Sequence, residues 1–312
     1  MEIQKEVTLC DVSLTEGTIS RDAAISIHEL QQSSKITSQT PSQLQFKRIQ
    51  SPSSINTYKQ CPRKYYYQYM EKLPTKTSIH LVRGKLTHSV LEEFFKINAS
   101  IITEDNYNYL LKILISDLFK KHWAASQQEL DSLNLSTEDY LFYFNETQDM
   151  INDWLELFIE KLNKELQQYT LHEAFKLLTP ITEIEYSSDI LGVRGFVDAI
   201  FKHDEHVKII DYKTSKKDQI TEEYKLQLGI YALLYQQKHG ITPKLVGIDF
   251  LRHGERFLEV DNALLKLAKK ECELIHIRTK SDDIKEYPKK ISSLCKWSTG
   301  QCNFYCTCVK SE

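Results

Sequence analysis

A change in hydrophobic periodicity near Pro180 constrains the fold more than any other feature of the sequence. From about 105 to 178 apolar residues recur with helical spacing, as in "YLLKILISDLFKKHW" and "DMINDWLELFIEKLNKEL". After Pro180 the chain changes to short β-rich runs, "ITEIEYSS", "GVRGFVDAIF" and "VKIIDYKT". A helical stretch ending at Gly240, two more strand-like runs and a last helix follow. This order predicts an α/β core with a mixed sheet, preceded by a helical subdomain.

Composition limits the classes to which the chain can belong. Its 312 residues are 41% hydrophobic, which is enough for one large domain with a tail or two modest domains. No apolar run is long enough to cross a bilayer, and the start "MEIQKEVTLC" lacks the basic and apolar regions of a secretory signal. We therefore expect a soluble, cytoplasmic protein without a membrane partner.

Sequence character divides the chain into four expected parts. Residues 1–50 include the polar run "QQSSKITSQTPSQ" and are expected to form a partly disordered N-terminal extension. The helical subdomain is predicted over 51–178, the α/β core over 179–280 and a cysteine-rich tail over 281–312.

Local charge is more informative than the formal net charge of −3, which argues against an overall basic surface for nucleic acid. Residues 59–85 combine many lysines and arginines with tyrosines at 65, 66, 67 and 69, against the single acid Glu71. Cations for phosphates and rings for bases are typical of a track for single-stranded nucleic acid. The alternative is a solvated helix whose tyrosines pack inward, and the stretch by itself favours that alternative.

Two aspartates stand on neighbouring strand-like runs, Asp198 in "GFVDAIF" and Asp211 in "IIDYKT". Lys213 emerges on the same strand face as Asp211, and a turn at "KHDEH" can bring both carboxylates to one cation. Oxygen ligands suit Mg²⁺ or Mn²⁺, which would activate water and neutralise the charge that develops on a phosphate. Lys213 would orient the nucleophile or stabilise the same charge. Taken alone, an Asp–Lys pair is more often a salt bridge at a sheet rim.

Seven cysteines are unevenly placed along the chain. Three are scattered, whereas four crowd the tail "CKWSTGQCNFYCTC" at positions 295, 302, 306 and 308. In an intracellular chain such clustering indicates metal ligation more than disulfides. Four thiolates suit either a [4Fe–4S] cluster or a structural zinc ion.

Five segments resemble, in this order, the RecB-like branch of the PD-(D/E)XK nucleases: "CPRKYYYQYM", "RGKLTHSVLEEFF", "GFVDAI", "IIDYKT" and "QLGIY". That branch includes the nuclease domains of bacterial RecB and AddB and the CRISPR adaptation nucleases. The resemblance covers about residues 51–308 and implies a restriction-endonuclease-like core with a mixed sheet flanked by helices. It also implies a metal-dependent deoxyribonuclease, expected to be an exonuclease on single-stranded DNA or DNA ends in repair, recombination, replication or CRISPR-type processing.

The resemblance assigns roles to the residues that match the motifs of the branch. His88, in the motif G-x-x-x-H, would be a metal ligand, Asp198 and Asp211 the acidic ligands and Lys213 the catalytic lysine. By itself, a histidine beside apolar residues on a helix is more often a packed core residue.

Further positions are expected to support DNA binding and the active site. Gln227 and Tyr231 match the motif Q-x-x-x-Y, although such a pair can also be an ordinary polar pair on a helix. Glu185, on the strand before Asp198, is a candidate for holding a second cation. Arg63 and Lys64 are candidate DNA contacts.

The cysteines complete the resemblance. In the iron–sulfur members of the branch, one cysteine precedes the histidine motif and three lie near the C-terminus. Cys61 fits the position before the histidine motif, and Cys295, Cys302 and Cys308 are candidates for the three C-terminal positions. Cys306 is an alternative to Cys302 or Cys308. The resemblance favours a [4Fe–4S] cluster over zinc.

The sequence has no G-x-x-x-x-G-K-[ST] motif and therefore no P-loop motor of its own. We expect the protein to act alone on exposed DNA ends or beside a separate helicase, repair or integrase partner. Two rival functions stay open: a catalytically silent DNA-binding scaffold and an RNA-processing nuclease.

Overall fold

A computed structural model describes residues 46–98, 101–203, 206–298 and 300–310, so most of the predicted extension, with Cys10, lies outside the described residues. A helical layer precedes the sheet, and further helices follow its third and fifth strands. The helices are α1 (Pro52–Gln60), α2 (Pro62–Tyr65, continued by a π-helical turn, Tyr66–Met70), α3 (Ile79–Phe94), α4 (Tyr107–Ala125), α5 (Gln127–Asp131), α6 (Thr137–Glu165), α7 (Leu171–Leu178), α8 (Glu222–His239) and α9 (Asn262–Arg278).

Local chemistry explains where these helices begin and end. Ser136 caps α6 by accepting the backbone N–H of Asp139 at 3.0 Å, and Thr170 and Glu173 form a capping box at α7. Helix α8 ends at Gly240, whose φ of 70° lies in the left-handed region that glycine adopts without strain. None of the helices in the described ranges has the length and apolar character needed to span a bilayer.

Among the described residues, the main sheet has five strands in the order β1-β2-β3-β4-β5. They are β1 (Ile181–Ser188), β2 (Val193–His203), β3 (His206–Lys213), β4 (Leu245–Phe250) and β5 (Gly254–Glu259). Within this sheet the β3–β4 pair is parallel, with α8 as the crossover, and the other pairs are antiparallel. The predicted mixed sheet flanked by helices is therefore confirmed, although residues 204 and 205 of the predicted β2–β3 turn lie outside the described residues.

Apolar clusters cover the two faces of the sheet. One joins α3, α4, α6 and α7 to Ile210 and Tyr212, and the other joins α1, α8 and α9 to Ile209 and Val197. Alternation along β3 thus directs Asp211 and Lys213 to the face covered by α8.

Contacts divide the chain into a unit of residues 47–290, which contains the sheet, and a second unit that includes the tail. In the tail, β6 (Lys296–Trp297) pairs with β7 (Gly300–Gln301), and α10 (Tyr305–Lys310) follows. The N–H of Cys302 donates to the carbonyl of Cys295 at 2.9 Å, so this hairpin sets the backbone around two of the cysteines.

Gln50 belongs to the sheet region rather than to the extension in which it was expected. Gln50 forms an isolated parallel β-bridge with Val193. The N–H of Gln50 donates to the carbonyl of Gly192 at 2.8 Å, and the carbonyl of Gln50 accepts the N–H of Arg194 at 2.9 Å. Its buried side chain is hydrogen-bonded to Tyr65 and Ser54. The four predicted domain ranges otherwise stay predictions.

Candidate metal centre

The candidate centre lies where β2 and β3 separate. Their pairing runs from Ala199–Ile210 to His203–His206, so Asp198 and Asp211 lie just beyond its end. There Oδ2 of Asp198 accepts the backbone N–H of Tyr212 at 2.8 Å. The Asp198 side chain thus accepts the N–H of Tyr212 where the backbone pairing of β2 with β3 ends, and this hydrogen bond fixes the position of the carboxylate.

His88 reaches this point from α3. Its Nε2 lies 3.0 Å from the carbonyl oxygen of Tyr212, and since a carbonyl only accepts, Nε2 must carry the proton. In the neutral ring this leaves the lone pair on Nδ1, which lies 3.4 Å from Oδ2 of Asp198. Burial lowers the pKa of His88, but the hydrogen bond and charge of Asp198 raise it above the ordinary value overall. The surroundings of His88 therefore favour a positive charge.

Glu183 completes the group, and no sequence motif indicated it. One ligand atom each from His88, Glu183 and Asp198 lies within 4.8 Å of the other two. The flanking pairs Thr182–Ala199 and Ile184–Val197 place Glu183 opposite Asp198. Its φ of 51° is unusual for a residue with a side chain, and such strain is found mainly at functional sites. Burial, and next the charge of Asp198, raises the pKa of Glu183.

Glu185, the expected second-cation residue, lies outside this group. Its carboxylate is 3.6 Å from the guanidinium of Arg194, and both side chains are largely exposed. It lies two positions after Glu183 on β1, so the register of β1 against β2 decides which glutamate reaches the centre. A supporting role for Glu185 stays a prediction.

Asp211 is buried and held on both sides. Lys213 forms an ion pair with it, and Nε2 of Gln227 on α8 donates to its Oδ1 at 2.7 Å. The same Gln227 nitrogen donates to the hydroxyl of Tyr231 at 2.8 Å, so the predicted Gln–Tyr pair is a chain of contacts that ends on Asp211. A Cβ on Gly195 would lie 2.8 Å from the Tyr231 ring, which explains why glycine stands there.

Burial and charge act in opposite directions on the Asp211–Lys213 pair. Burial raises the pKa of Asp211 to about 6, although Lys213 lowers it. Burial lowers the pKa of Lys213, but the charge and hydrogen bond of Asp211 raise it overall. Lys213 is therefore a cation at neutral pH, which suits stabilisation of negative charge rather than removal of a proton.

The residues present fit a divalent metal ion. His88, Glu183 and Asp198 offer one imidazole nitrogen and two carboxylates, which are donors that Mg²⁺ and Mn²⁺ accept. The Asp211 carboxylate lies outside this group of three and is engaged by Lys213 and Gln227. Asp198 and Asp211 are 7% and 1% exposed, so water solvates their charges poorly. Lys213 compensates the charge of Asp211, and a bound cation would compensate that of Asp198.

The Tyr-rich stretch supports the inward-packing alternative. Tyr65 and Tyr67 are 0% and 2% exposed, which excludes them from stacking on bases. The Nε of Arg63 donates to the carbonyl of Tyr287 at 2.8 Å, and Lys64 donates to Gln60 at 2.7 Å. The expected DNA contacts by Arg63 and Lys64 stay predictions.

The candidate cluster cysteines lie half-buried, in turns and short elements. Cys61 stands between α1 and α2, where it is the C-cap of one helix and the N-cap of the next. In the tail, the amide of Gln301 lies 3.5 Å from the sulfur of Cys306, and α10 carries Cys306 and Cys308.

Three known proteins are similar to this chain over different lengths. Gene 69 protein of Mycobacterium phage D29 is 24% identical over 221 residues, covering 67% of this chain and 76% of that protein. One component of an ATP-dependent helicase/nuclease of Clostridioides difficile strain 630 is 35% identical over 74 residues, covering 20% of this chain but only 6% of that protein. A crystal structure from Eubacterium rectale, provisionally described as an exonuclease, has a TM-score of 0.45 and 12% identity, covering 80% of this chain and 85% of that one.

The family comparison covers far more of the chain than the helicase/nuclease match. The model of the PD-(D/E)XK nuclease superfamily matches residues 50–308, a range that includes every residue of the candidate centre. The chain therefore belongs to the PD-(D/E)XK nuclease superfamily.

Proposed function

We propose that this protein is a Mg²⁺- or Mn²⁺-dependent deoxyribonuclease that hydrolyses phosphodiester bonds from DNA ends or in single strands. One observation carries the proposal: Asp211 and the cationic Lys213 lie on β3 directly beside the group of His88, Glu183 and Asp198. Carboxylates for a metal ion and an ammonium group for a phosphate are the parts that phosphodiester hydrolysis requires.

The residues divide the work as follows. A divalent ion held by His88, Glu183, Asp198 and Asp211 would supply Lewis acidity at the phosphate and an activated water. Lys213 contributes a fixed positive charge where the negative charge develops. Gln227 orients Asp211, and the Tyr212 carbonyl fixes the tautomer of His88.

We include in the proposal a preference for single-stranded DNA. Tyr65 and Tyr67 do not provide this preference by stacking on bases, because both are buried. The support for this preference is the name of one relative, which joins a helicase with a nuclease, and the lack of an ATP-binding motif in this sequence. A helicase or repair protein that opens DNA would provide the substrate in the cytoplasm, and an integrase is a further candidate partner.

We further propose a [4Fe–4S] cluster bound by Cys61, Cys295, Cys302 and Cys308, with Cys306 as an alternative to one of the tail residues. The support is the isolated Cys61 before the histidine motif and the cysteine-rich tail. Thiolates at a helix cap and in a hairpin are suitable ligands for iron, and zinc is the alternative.

A cleavage assay tests the nuclease. End-labelled single-stranded, overhanging and blunt DNA, and RNA of the same sequence, are incubated with Mg²⁺, Mn²⁺ or chelator. We expect metal-dependent cleavage of single-stranded and overhanging DNA, much faster than of blunt duplex. The variant Lys213→Ala should lose about 1,000-fold in rate, whereas Lys217→Ala, on the exposed loop after β3, should match the wild type.

The rivals predict other results. Cleavage of RNA but not DNA would support the RNA-processing alternative, and tight DNA binding without cleavage would support the silent scaffold. Full activity of Lys213→Ala would place the active site elsewhere.

A further inference from the structure

Gly84 lies inside α3, where glycine is among the least favourable residues. Packing against the described residues does not require it: among them, a Cβ on Gly84 would meet nothing within 4 Å beyond the backbone of its own helix, whereas a Cβ on Gly195 would meet Tyr231 at 2.8 Å. Backbone conformation does not require it either, since Gly84 is not among the glycines with positive φ. Neither packing among the described residues nor backbone conformation therefore accounts for this glycine.

Its position relative to His88 indicates what that reason is. Residues four apart share a helix face, so Gly84 is one turn before His88 on the same side of α3. Side chains of a helix lean toward its N-terminus, so His88 extends over the turn that contains Gly84. The open space above Gly84 is thus next to the candidate metal centre.

The neighbouring residues on α3 line this space with two kinds of exposed group. Leu81, one turn earlier, is 64% exposed. The Lys85 side chain is 72% exposed, and its ammonium group is paired with Glu129 at 2.7 Å. Along α3 toward His88, the apolar side chain of Leu81 is therefore followed by Gly84, which has no side chain, and by the ammonium group of Lys85.

We propose that a nucleic-acid strand runs along this side of α3 and that its sugar–phosphate chain crosses the backbone at Gly84 to reach the metal centre. Leu81 contacts a sugar or base, and Lys85 lies toward a phosphate. Gly84 is then a specificity-determining residue, because it sets how closely a polymer can approach. The inference rests on the proposed nuclease function and adds the path of the substrate.

The test compares Gly84→Ala and Gly84→Leu with Ala263→Leu, which adds similar bulk at an exposed position of α9. Three quantities are measured: cleavage of single-stranded DNA, hydrolysis of bis(p-nitrophenyl) phosphate, and the melting temperature. Gly84→Ala should raise the melting temperature by about 2–4 °C, because alanine favours the helix. DNA cleavage should fall about tenfold for Ala and about 100-fold for Leu, mostly through KM.

Hydrolysis of the small diester separates the strand path from the metal centre. It should stay within about twofold of wild type in all three variants, because a small substrate does not cross Gly84. A parallel loss of both activities, or DNA cleavage by Gly84→Leu at the wild-type rate, would overturn the inference.

DNA affinity, from fluorescence anisotropy of a labelled single-stranded oligonucleotide, separates this inference from the proposed function. If the wild type cleaves nothing but loses affinity on Gly84→Leu, the nuclease proposal fails and the strand path stands. If affinity is also unchanged, the strand path is wrong.

Discussion

The Asp198 carboxylate accepts the backbone N–H of Tyr212 at 2.8 Å, so one side chain both ends the β2–β3 ladder and faces the candidate metal centre. The carbonyl of the same Tyr212 holds His88. A single peptide segment of β3 thus fixes the positions of two candidate ligands that come from other elements.

Two substitutions of Asp198 separate its structural role from its chemical role. Asp198→Asn keeps an oxygen that can accept the Tyr212 N–H but loses the charge, so cleavage should fall about 1,000-fold while stability is nearly kept. Asp198→Ala should lose activity and also about 1–3 kcal/mol of unfolding free energy, because a buried N–H is left unpaired. Urea unfolding and cleavage rates check both; equal stability of the two variants would contradict the structural role.

The contact of Gln227 with Asp211 predicts a graded effect. Gln227→Leu removes the donor to Oδ1 of Asp211, and we expect the rate to fall roughly 10–100-fold, as for other residues that orient metal ligands. Tyr231→Phe removes only the partner of Gln227, so its loss should be smaller. The rate is measured against Mg²⁺ concentration, and a larger loss for Tyr231→Phe than for Gln227→Leu would refute this order.

The two glutamates of β1 give a matched pair. Glu183→Gln should weaken Mn²⁺ binding about 10–100-fold, because it removes a carboxylate from the group with His88 and Asp198. Glu185→Gln should bind Mn²⁺ like the wild type, since Glu185 is paired with Arg194 on the surface. Titration calorimetry with Mn²⁺ distinguishes them; equal affinities of both variants would remove Glu183 from the centre.

Asp249 on β4 is a buried carboxylate that contacts Trp154 of α6, on the sheet face opposite to that of Asp211. It is 4% exposed, its Oδ2 accepts the indole N–H of Trp154 at 3.1 Å, and its Oδ1 has no hydrogen-bond partner among the described residues. Burial raises the pKa of Asp249 from 3.8 to about 6, although Lys161 lowers it. The folded chain therefore binds this proton more tightly than the unfolded chain does.

The resulting stability is full below a pH of 3.8 and is lost as the pH rises through about 6. Above that pH the buried charge costs on the order of 3 kcal/mol. Asp249→Asn should therefore raise the melting temperature at neutral pH, and the gain should shrink as the pH falls toward about 4. The control is Asp218→Asn: a hydrogen bond from Arg256 lowers the pKa of Asp218, so this variant should show no such gain. If the gain in melting temperature of Asp249→Asn did not depend on pH, the assignment to Asp249 would be wrong.

Iron content tests the proposed cluster. Protein purified without oxygen should be brown and contain iron, and Cys61→Ser should lose the colour and be less stable. Cys272→Ser is the control: burial raises the pKa of the Cys272 thiol to about 12, so it is a packed side chain that should not bind metal. Stoichiometric zinc without iron would replace the cluster by a zinc site.

Sequence predicts the parts of this fold that are encoded locally. The change from helical to alternating periodicity predicts the mixed sheet, and the spacing of Asp211 and Lys213 on one strand places both on one face. Glu183 could not be chosen over Glu185, because both alternate onto the same face and only the β1–β2 register distinguishes them.

The tyrosines between 59 and 85 show what the local sequence does not predict, namely which of their rings are buried. Alternating cations and rings between 59 and 85 look the same whether the rings face solvent or core, and burial of Tyr65 depends on contacts with residues distant in sequence, such as Tyr287. The stacked rings of Tyr65 and Tyr287 are 6.2 Å apart, a contact that no local pattern reveals.

The placement of Gln50 sets a limit on trimming the chain from its N-terminus. Its backbone pairs with Gly192 and Arg194, and its side chain accepts the Ser54 hydroxyl at 2.8 Å and binds Tyr65 in the interior. A truncation that starts at Ser51 would leave the Gly192 carbonyl and the Arg194 N–H without their backbone partner. It would also remove the hydrogen bonds that the buried hydroxyls of Ser54 and Tyr65 form with Gln50. The shortest stable form of the nuclease unit therefore includes Gln50 and does not begin at the first helix.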